Sequence, residues 1–280
     1  MAALPHRDPG KVTVWHRQNG RFHLIVQAGH FIDEGQLVQP GLPWGNKARL
    51  ILLHINKEGQ KSRHVPLGAS MRQYLLRLGL SPSGGKNGTI TGVRDQMRRI
   101  SRARLTMQWN MGDENQEAWL HDQNLIDGVQ LWTAAEGERS QWPEEVVLTE
   151  QFHRHLQEHG VPLAEFAIAH LRQSSLALDL YVWLAHRVPR LKVKALVTWG
   201  QIELQVGSKD AIPTKELARR VRDAMPDLLA VYDGLRIDVR RDGLVIHPGP
   251  PAVPRTRVVV PSSLTTHVRG ARPLALPTSD

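Results

Sequence analysis

The 280-residue chain is 41% hydrophobic and has no cysteine, so it can bury one large core or two ordinary ones, and disulfides, thiolate zinc sites and cysteine nucleophiles are all excluded. Its formal net charge of +9 and pI near 10.2 point to a polyanionic partner. No apolar run reaches the ~20 residues of a membrane span and the first residues lack a signal-peptide core, which together with the missing cysteines is expected of a cytoplasmic protein with no membrane partner.

The charge is unevenly placed. Ten Lys/Arg and one acid, Asp95, lie between Lys61 and Asn110, a net of +9, whereas residues 111–160 hold eleven Asp/Glu against Arg139 and Arg154, a net of −9. A basic block beside an acidic one predicts one surface facing a polyanion and another facing solvent or protein.

In chain order, Val12–Trp15 and Phe22–Val26 flank Gln18-Asn19-Gly20, a hairpin signal, and predict an N-terminal arm over residues 1–40. A first unit over 41–150 begins with a helix, Trp44–Lys57, and a strand, Ser62–Leu67. Ser70 can cap a helix Met71–Leu78 that Gly79 ends, and Thr89 or Thr91 can cap another running to Arg102. Arg104–Trp109, Gly112-Asp113 and Ala118–His121 then read as a strand–turn–strand wing, followed by an acidic extension. The same order recurs in a second unit over 151–248. Its elements are a helix Ser174–Arg187, a strand Lys194–Thr198, a helix Trp199–Val206, a turn Gly207–Asp210 and a helix Pro213–Leu229. A hairpin, Leu235–Arg240 with Leu244–His247, closes it. Residues 249–280 are Pro-rich and predict a flexible tail. The fold class expected is α+β, with tandem winged-helix (winged helix-turn-helix) domains.

In the helix ending at Arg102, Ile90, Val93, Met97 and Ile100 form an apolar stripe while Arg94, Arg98 and Arg102 repeat at i+4 on another face. Arg99 stands beyond them, and Lys86 and Arg104 lie at the two ends. Like charges at i,i+4 repel, so a ladder without interleaved acids suits a phosphate backbone, and arginine can also chelate guanine in the major groove. The second unit offers Lys215, Arg219 and Arg222 opposite its apolar stripe, with Arg240 and Arg241 at the hairpin tip, although Glu216 and Asp223 are interspersed. These eleven residues are the expected DNA-binding set; a solvated basic face is the plain alternative.

Gly79–Lys86 superficially resembles a phosphate-binding loop, but its lysine is one place late and Asn87 replaces the Ser/Thr. His153-Arg-His155 has no Glu to complete a metal-binding helix, and Tyr74, Tyr181 and Tyr232 lie in apolar patterns that suggest core. No catalytic residue, metal or cofactor is therefore expected, and the tryptophans read as packing rather than as platforms for single-stranded bases.

Over about residues 40–250 the chain resembles the RepA-type plasmid replication initiators. The resemblance lies in Gly41-Leu-Pro-Trp-Gly-Asn-Lys-Ala-Arg49, Leu75-Leu-Arg-Leu-Gly-Leu80 with Gly84-Gly-Lys86 and Gly88, Arg94-Asp-Gln-Met-Arg-Arg99, and Leu178-Asp-Leu-Tyr-Val-Trp-Leu-Ala-His-Arg187. It implies tandem winged-helix domains that bind double-stranded origin repeats, help open the duplex and recruit host replication proteins. It also implies a homodimer in equilibrium with monomer that represses its own promoter, and it supports Lys86, Arg94, Arg98 and Arg99 as part of the DNA surface. A plain winged-helix transcriptional regulator, and an origin-nicking or primase-like enzyme, are the competing readings.

Overall fold

The computed structural model describes residues 4–19, 21–33, 35–109, 119–128, 144–206 and 212–254. Strands β1 (Val14–Asn19) and β2 (Phe22–Gln27) form the expected hairpin, with Asn19 opposite Phe22. A second, short hairpin pairs β3 (Phe31–Asp33) with β4 (Gln36–Val38). Next come α1 (Gly45–Gly59), β5 (His64–Pro66), α2 (Met71–Arg77) and α3 (Thr89–Arg102). The Ser70 hydroxyl accepts the Gln73 N–H, as a capping residue should.

Beyond α3 the chain departs from the sequence reading. Strands β6 (Arg104–Trp109) and β7 (Trp119–Asn124) do pair, but β6 also pairs along its whole length with β2. The result is a four-stranded antiparallel sheet of order β1-β2-β6-β7, so the strands expected to form a separate arm share one sheet with those expected to form the first wing. The neighbour of β5 is instead β9 (Glu145–Leu148), which also pairs with β8 (Ile126–Gly128). Burial explains the exchange. Leu24 and Val26 of β2 continue a single apolar face with Leu105 and Met107 of β6, while Val65 of β5 is fully buried together with Val146 and Leu148 of β9. The Gly112-Asp113 and Gly207–Asp210 turns lie outside the described residues.

The second half holds α4 (Glu150–His159), α5 (Glu165–Leu171), α6 (Ser175–Arg187), β10 (Ala195–Thr198), α7 (Trp199–Val206), α8 (Thr214–Val231), β11 (Ile237–Val239) and β12 (Gly243–Ile246). Of these, α5 was not anticipated. Its three strands are ordered β10-β12-β11, matching β5-β9-β8: in both halves the last strand of the unit is central, beside the first. The repeat of helix, strand, two helices and two strands is therefore present in the pairing as well as in the element order. In the first half a hairpin, β6–β7, is inserted before the last two strands.

The core is continuous across both halves. Val93, Met97 and Ile100 of α3 and Ile51 and Ile55 of α1 are buried in the first; Leu180 and Leu184 of α6, Val221 and Leu228 of α8 and Leu244 and Ile246 of β12 are buried in the second. Each such side chain contributes about 1.5–3 kcal/mol relative to exposure. The helices α1 and α6 meet through a buried ion pair, Arg49 with Asp179, to which the N-terminal segment adds the Leu4 and Pro5 carbonyls and the His6 ring. Residues 249–254, expected to start a mobile tail, pack instead on the second half, where the Tyr232 hydroxyl donates to the Pro250 carbonyl.

Candidate nucleic-acid interface

The loop before α3 is locked by its own polar groups. Ser83 Oγ accepts the Thr89 N–H (3.0 Å), Thr89 Oγ1 accepts the Ser83 N–H (2.9 Å) and donates to the Ser81 carbonyl, and Thr91 Oγ1 donates to the Gly85 carbonyl. The N-cap is therefore Gly88 rather than Thr89 or Thr91. Only glycine fits there, because a Cβ would lie 2.4 Å from both the Ser83 and Gly84 carbonyl oxygens. This packing presents Lys86 to solvent at the start of the helix.

On α3 the core face is Val93, Gln96, Met97 and Ile100, with Gln96 Oε1 accepting the Trp44 N–H. At 100° per residue Arg94, Arg98 and Arg102 fall on one side of the helix, away from that face. Arg98 and Arg94 are half-buried and Arg102 is exposed. Among the described residues, no ion pair is made by Lys86, Arg98 or Arg102. Arg99 behaves differently: its side chain is only 15% exposed, Nε donates to Asp95 (2.9 Å) and Nη1 to the Leu42 carbonyl (3.1 Å). Its guanidinium is thus committed within the fold, and it stands apart from the ladder with which the sequence grouped it. Arg104 heads β6 opposite Gln27 and is exposed.

The second half gathers a different set. On α8, Lys215, Arg219 and Arg222 share a face, but Arg219 bonds both oxygens of Glu216 and reaches Asp223 (3.2 Å). Hydrogen bonds from Arg219 and then Arg220 hold the Glu216 carboxyl down to about 2, so it stays charged and the Arg219 charge is locally balanced. Arg222 is instead stacked on Trp199, with its guanidinium carbon 4.8 Å from the ring centre. The Trp199 indole N–H donates to the Arg241 carbonyl (2.9 Å), and the Arg240 N–H donates to the Gly243 carbonyl (2.8 Å). Trp199 therefore joins Arg222 to the hairpin turn bearing Arg240 and Arg241. It was read as core packing, and its second role was missed because the i+4 pattern on α8 says nothing about α7. Lys47 was also missed: its side chain lies across Gly92 on the first turns of α3, within 3 Å of where a Cβ would stand. Its signal was the Lys47 in the Gly41–Arg49 string.

The three tyrosines weighed as nucleophiles are packed in the core. Tyr74, Tyr181 and Tyr232 are at most 1% exposed. Burial pushes the Tyr74 hydroxyl far up, and burial followed by the nearby Tyr181 raises Tyr232 to about 12. His153 Nδ1 bonds the Gly59 carbonyl (2.6 Å), whereas His155 meets His159. Among the described residues no cluster of three His, Asp or Glu could hold a metal ion, and no helix is long and apolar enough to cross a membrane.

A family model for plasmid-encoded RepA protein matches residues 43–201, more than half of the chain. Two crystal structures of domains 2 and 3 of RctB, one a selenomethionine derivative, superpose with TM-scores of 0.56 and 0.53 at 11% and 12% identity. Each covers 87% of this chain, over 95% and 92% of its own, and at such identity what is shared is the fold. No curated protein sequence matches it.

Proposed function

The chain belongs to the family of plasmid-encoded RepA proteins, and from that premise we propose that it initiates plasmid replication by binding repeated duplex sequences at the origin. The reading treats α1–α3 with β5, β8 and β9, and α6–α8 with β10–β12, as two winged-helix units. The matching strand orders β5-β9-β8 and β10-β12-β11 support it. In this reading α3 and α8 each enter a major groove, and the hairpins β8–β9 and β11–β12 flank them.

The observation that carries the proposal is the contrast among cations. Arg63, Arg154 and Arg219 each have a carboxylate within 2.9 Å, whereas Lys86, Arg98 and Arg102 have none among the described residues. Two unbalanced cations a turn apart on one helix face, with Lys86 exposed in the loop before it, call for an external anion, and the regular phosphates of duplex DNA supply it. The protein acts by binding, in the cytoplasm, with no cofactor. It then recruits host replication proteins, and passes between a homodimer and a monomer. The buried tyrosines favour this over a nicking enzyme.

Fluorescence anisotropy tests the proposal with labelled duplexes from the plasmid origin and with shuffled sequences of equal length. Preference for the origin by about 10³-fold or more at physiological salt is expected. Equal affinity for both, or no binding, contradicts it.

A further inference from the structure

The β3–β4 hairpin is fastened to the last turns of α3 at both of its roots. Gly29 approaches the Arg102 carbonyl so closely that a Cβ would stand 2.1 Å from the oxygen. Phe31 lies under the Arg98 guanidinium, 5.9 Å from carbon to ring centre. On the returning side Gly41, at φ +84°, and Leu42 sit against Arg99, which donates to the Leu42 carbonyl. His30 and Gln39 hydrogen-bond across the base (3.2 Å). The commitment of Arg99, which removes it from the ladder, is this anchor.

On the outer side of the hairpin Ile32 and Leu37 are paired directly, and they are 62% and 70% exposed. Strand alternation turns Phe31 and Val38 to one face and this aliphatic pair to the other. Asp33, the last residue of β3, places negative charge beside the turn, so this end does not seek phosphate and the strand face is what the hairpin offers.

We propose that this hairpin is a second DNA contact, laying Ile32 and Leu37 into the minor groove beside the major groove that α3 occupies. The inference rests on the DNA-binding reading of α3. A helix with its side chains is about 10–12 Å across and the major groove about 12 Å wide, so an element pinned beside the helix must pass over the groove wall and meet the next groove. Aliphatic side chains there act as a wedge that partly unstacks a base step, while Arg98 and Arg102 at the root hold the flanking phosphates. The fastening of the hairpin to the cationic helix at both roots favours duplex DNA as its partner over another protein.

The test compares wild type, I32S/L37S and R98A on an origin duplex, reading affinity, salt dependence and permanganate reactivity of thymines flanking the protected sequence. Both substituted positions in the double variant are exposed, and unchanged thermal unfolding verifies its fold. Wild type should expose flanking thymines. I32S/L37S should lose that reactivity and bind about tenfold more weakly with an unchanged salt slope, because only apolar contacts are removed. Unchanged affinity and reactivity in I32S/L37S, with R98A impaired, overturns the wedge and leaves the α3 reading standing. Failure of wild type to bind overturns both. A change in sedimenting mass of I32S/L37S without DNA, with thymine reactivity retained, assigns the face to a second copy of the chain and also overturns the wedge.

Discussion

Arg49 and Asp179 form a bidentate pair in which every guanidinium proton has an acceptor: Nε and Nη2 bond the two carboxylate oxygens at 2.8 and 2.7 Å, and Nη1 and Nη2 also serve the Leu4, Pro5 and Gly45 carbonyls. The pair lies where α1 of the first half meets α6 of the second, so it fixes the orientation of one half against the other. Removing one member leaves a buried charge without its partner. Asp179→Asn should cost about 3–5 kcal/mol in urea unfolding. An effect below about 1 kcal/mol would contradict this role.

Burial by itself raises the Asp179 pKa, but the Arg49 charge and the bonds from His6 and Arg49 outweigh it, and the carboxyl titrates below its ordinary 3.8. A depressed carboxyl contributes stability that is complete above the ordinary value and is lost as pH falls through the folded one. The stability gap between wild type and Asp179→Asn should therefore be full at neutral pH and shrink below about pH 4, which urea titrations at several pH values will show.

Neighbouring arginines on α3 should behave differently. Arg98→Ala and Arg102→Ala should each lower the magnitude of the log K against log salt slope by about 0.9; Arg102→Ala should leave thermal stability almost unchanged, and Arg98→Ala should cost at most about 1 kcal/mol through its Phe31 contact. Arg99→Ala should chiefly lower stability, by about 1–3 kcal/mol, because the Leu42 carbonyl and Asp95 lose their donor. Calorimetry alongside binding isotherms separates the two effects.

On α8 the split falls between Arg219 and Arg222. Because Glu216 and Asp223 already balance Arg219, replacing it with Ala should change the salt slope by much less than 0.9. Arg222→Ala should remove one full phosphate contact. Equal slopes for the two variants would count against the ion-pair network as the deciding factor.

Gly88→Ala should destabilise by about 2 kcal/mol, because its Cβ would displace the backbone that carries Lys86. It should also weaken DNA binding although it touches no cation, and comparison with Lys86→Ala would reveal how much depends on loop shape.

Local elements were legible wherever apolar spacing and caps agreed: α7 was expected at Trp199–Val206 and is found there, Ser70 caps the helix it precedes, and the helix expected from Ser174 begins one residue later with Ser174 as its cap. Long-range pairing was not legible. Nothing near Arg104 distinguishes β2, some eighty residues earlier, from β5 as its neighbour, and β9, some eighty residues after β5, follows an acidic stretch that hides its partner. The site was legible as a face of α3, since i+4 spacing fixes an angle on a helix. Its ionic states were legible only where partners are local, as for Arg219 between Glu216 and Asp223; the Leu42 carbonyl that holds Arg99 and the Trp199 ring under Arg222 come from elsewhere in the chain.

The central claim is that the unbalanced cations of α3 hold duplex DNA at the plasmid origin. Hydroxyl-radical footprinting of an origin fragment, with wild type and the R98A/R102A double variant at two salt concentrations, tests it most directly. Regularly spaced protected repeats for wild type, weakened by salt and absent in the variant, are predicted. No protection by wild type at either salt, or a footprint unchanged by the double substitution, would contradict the account.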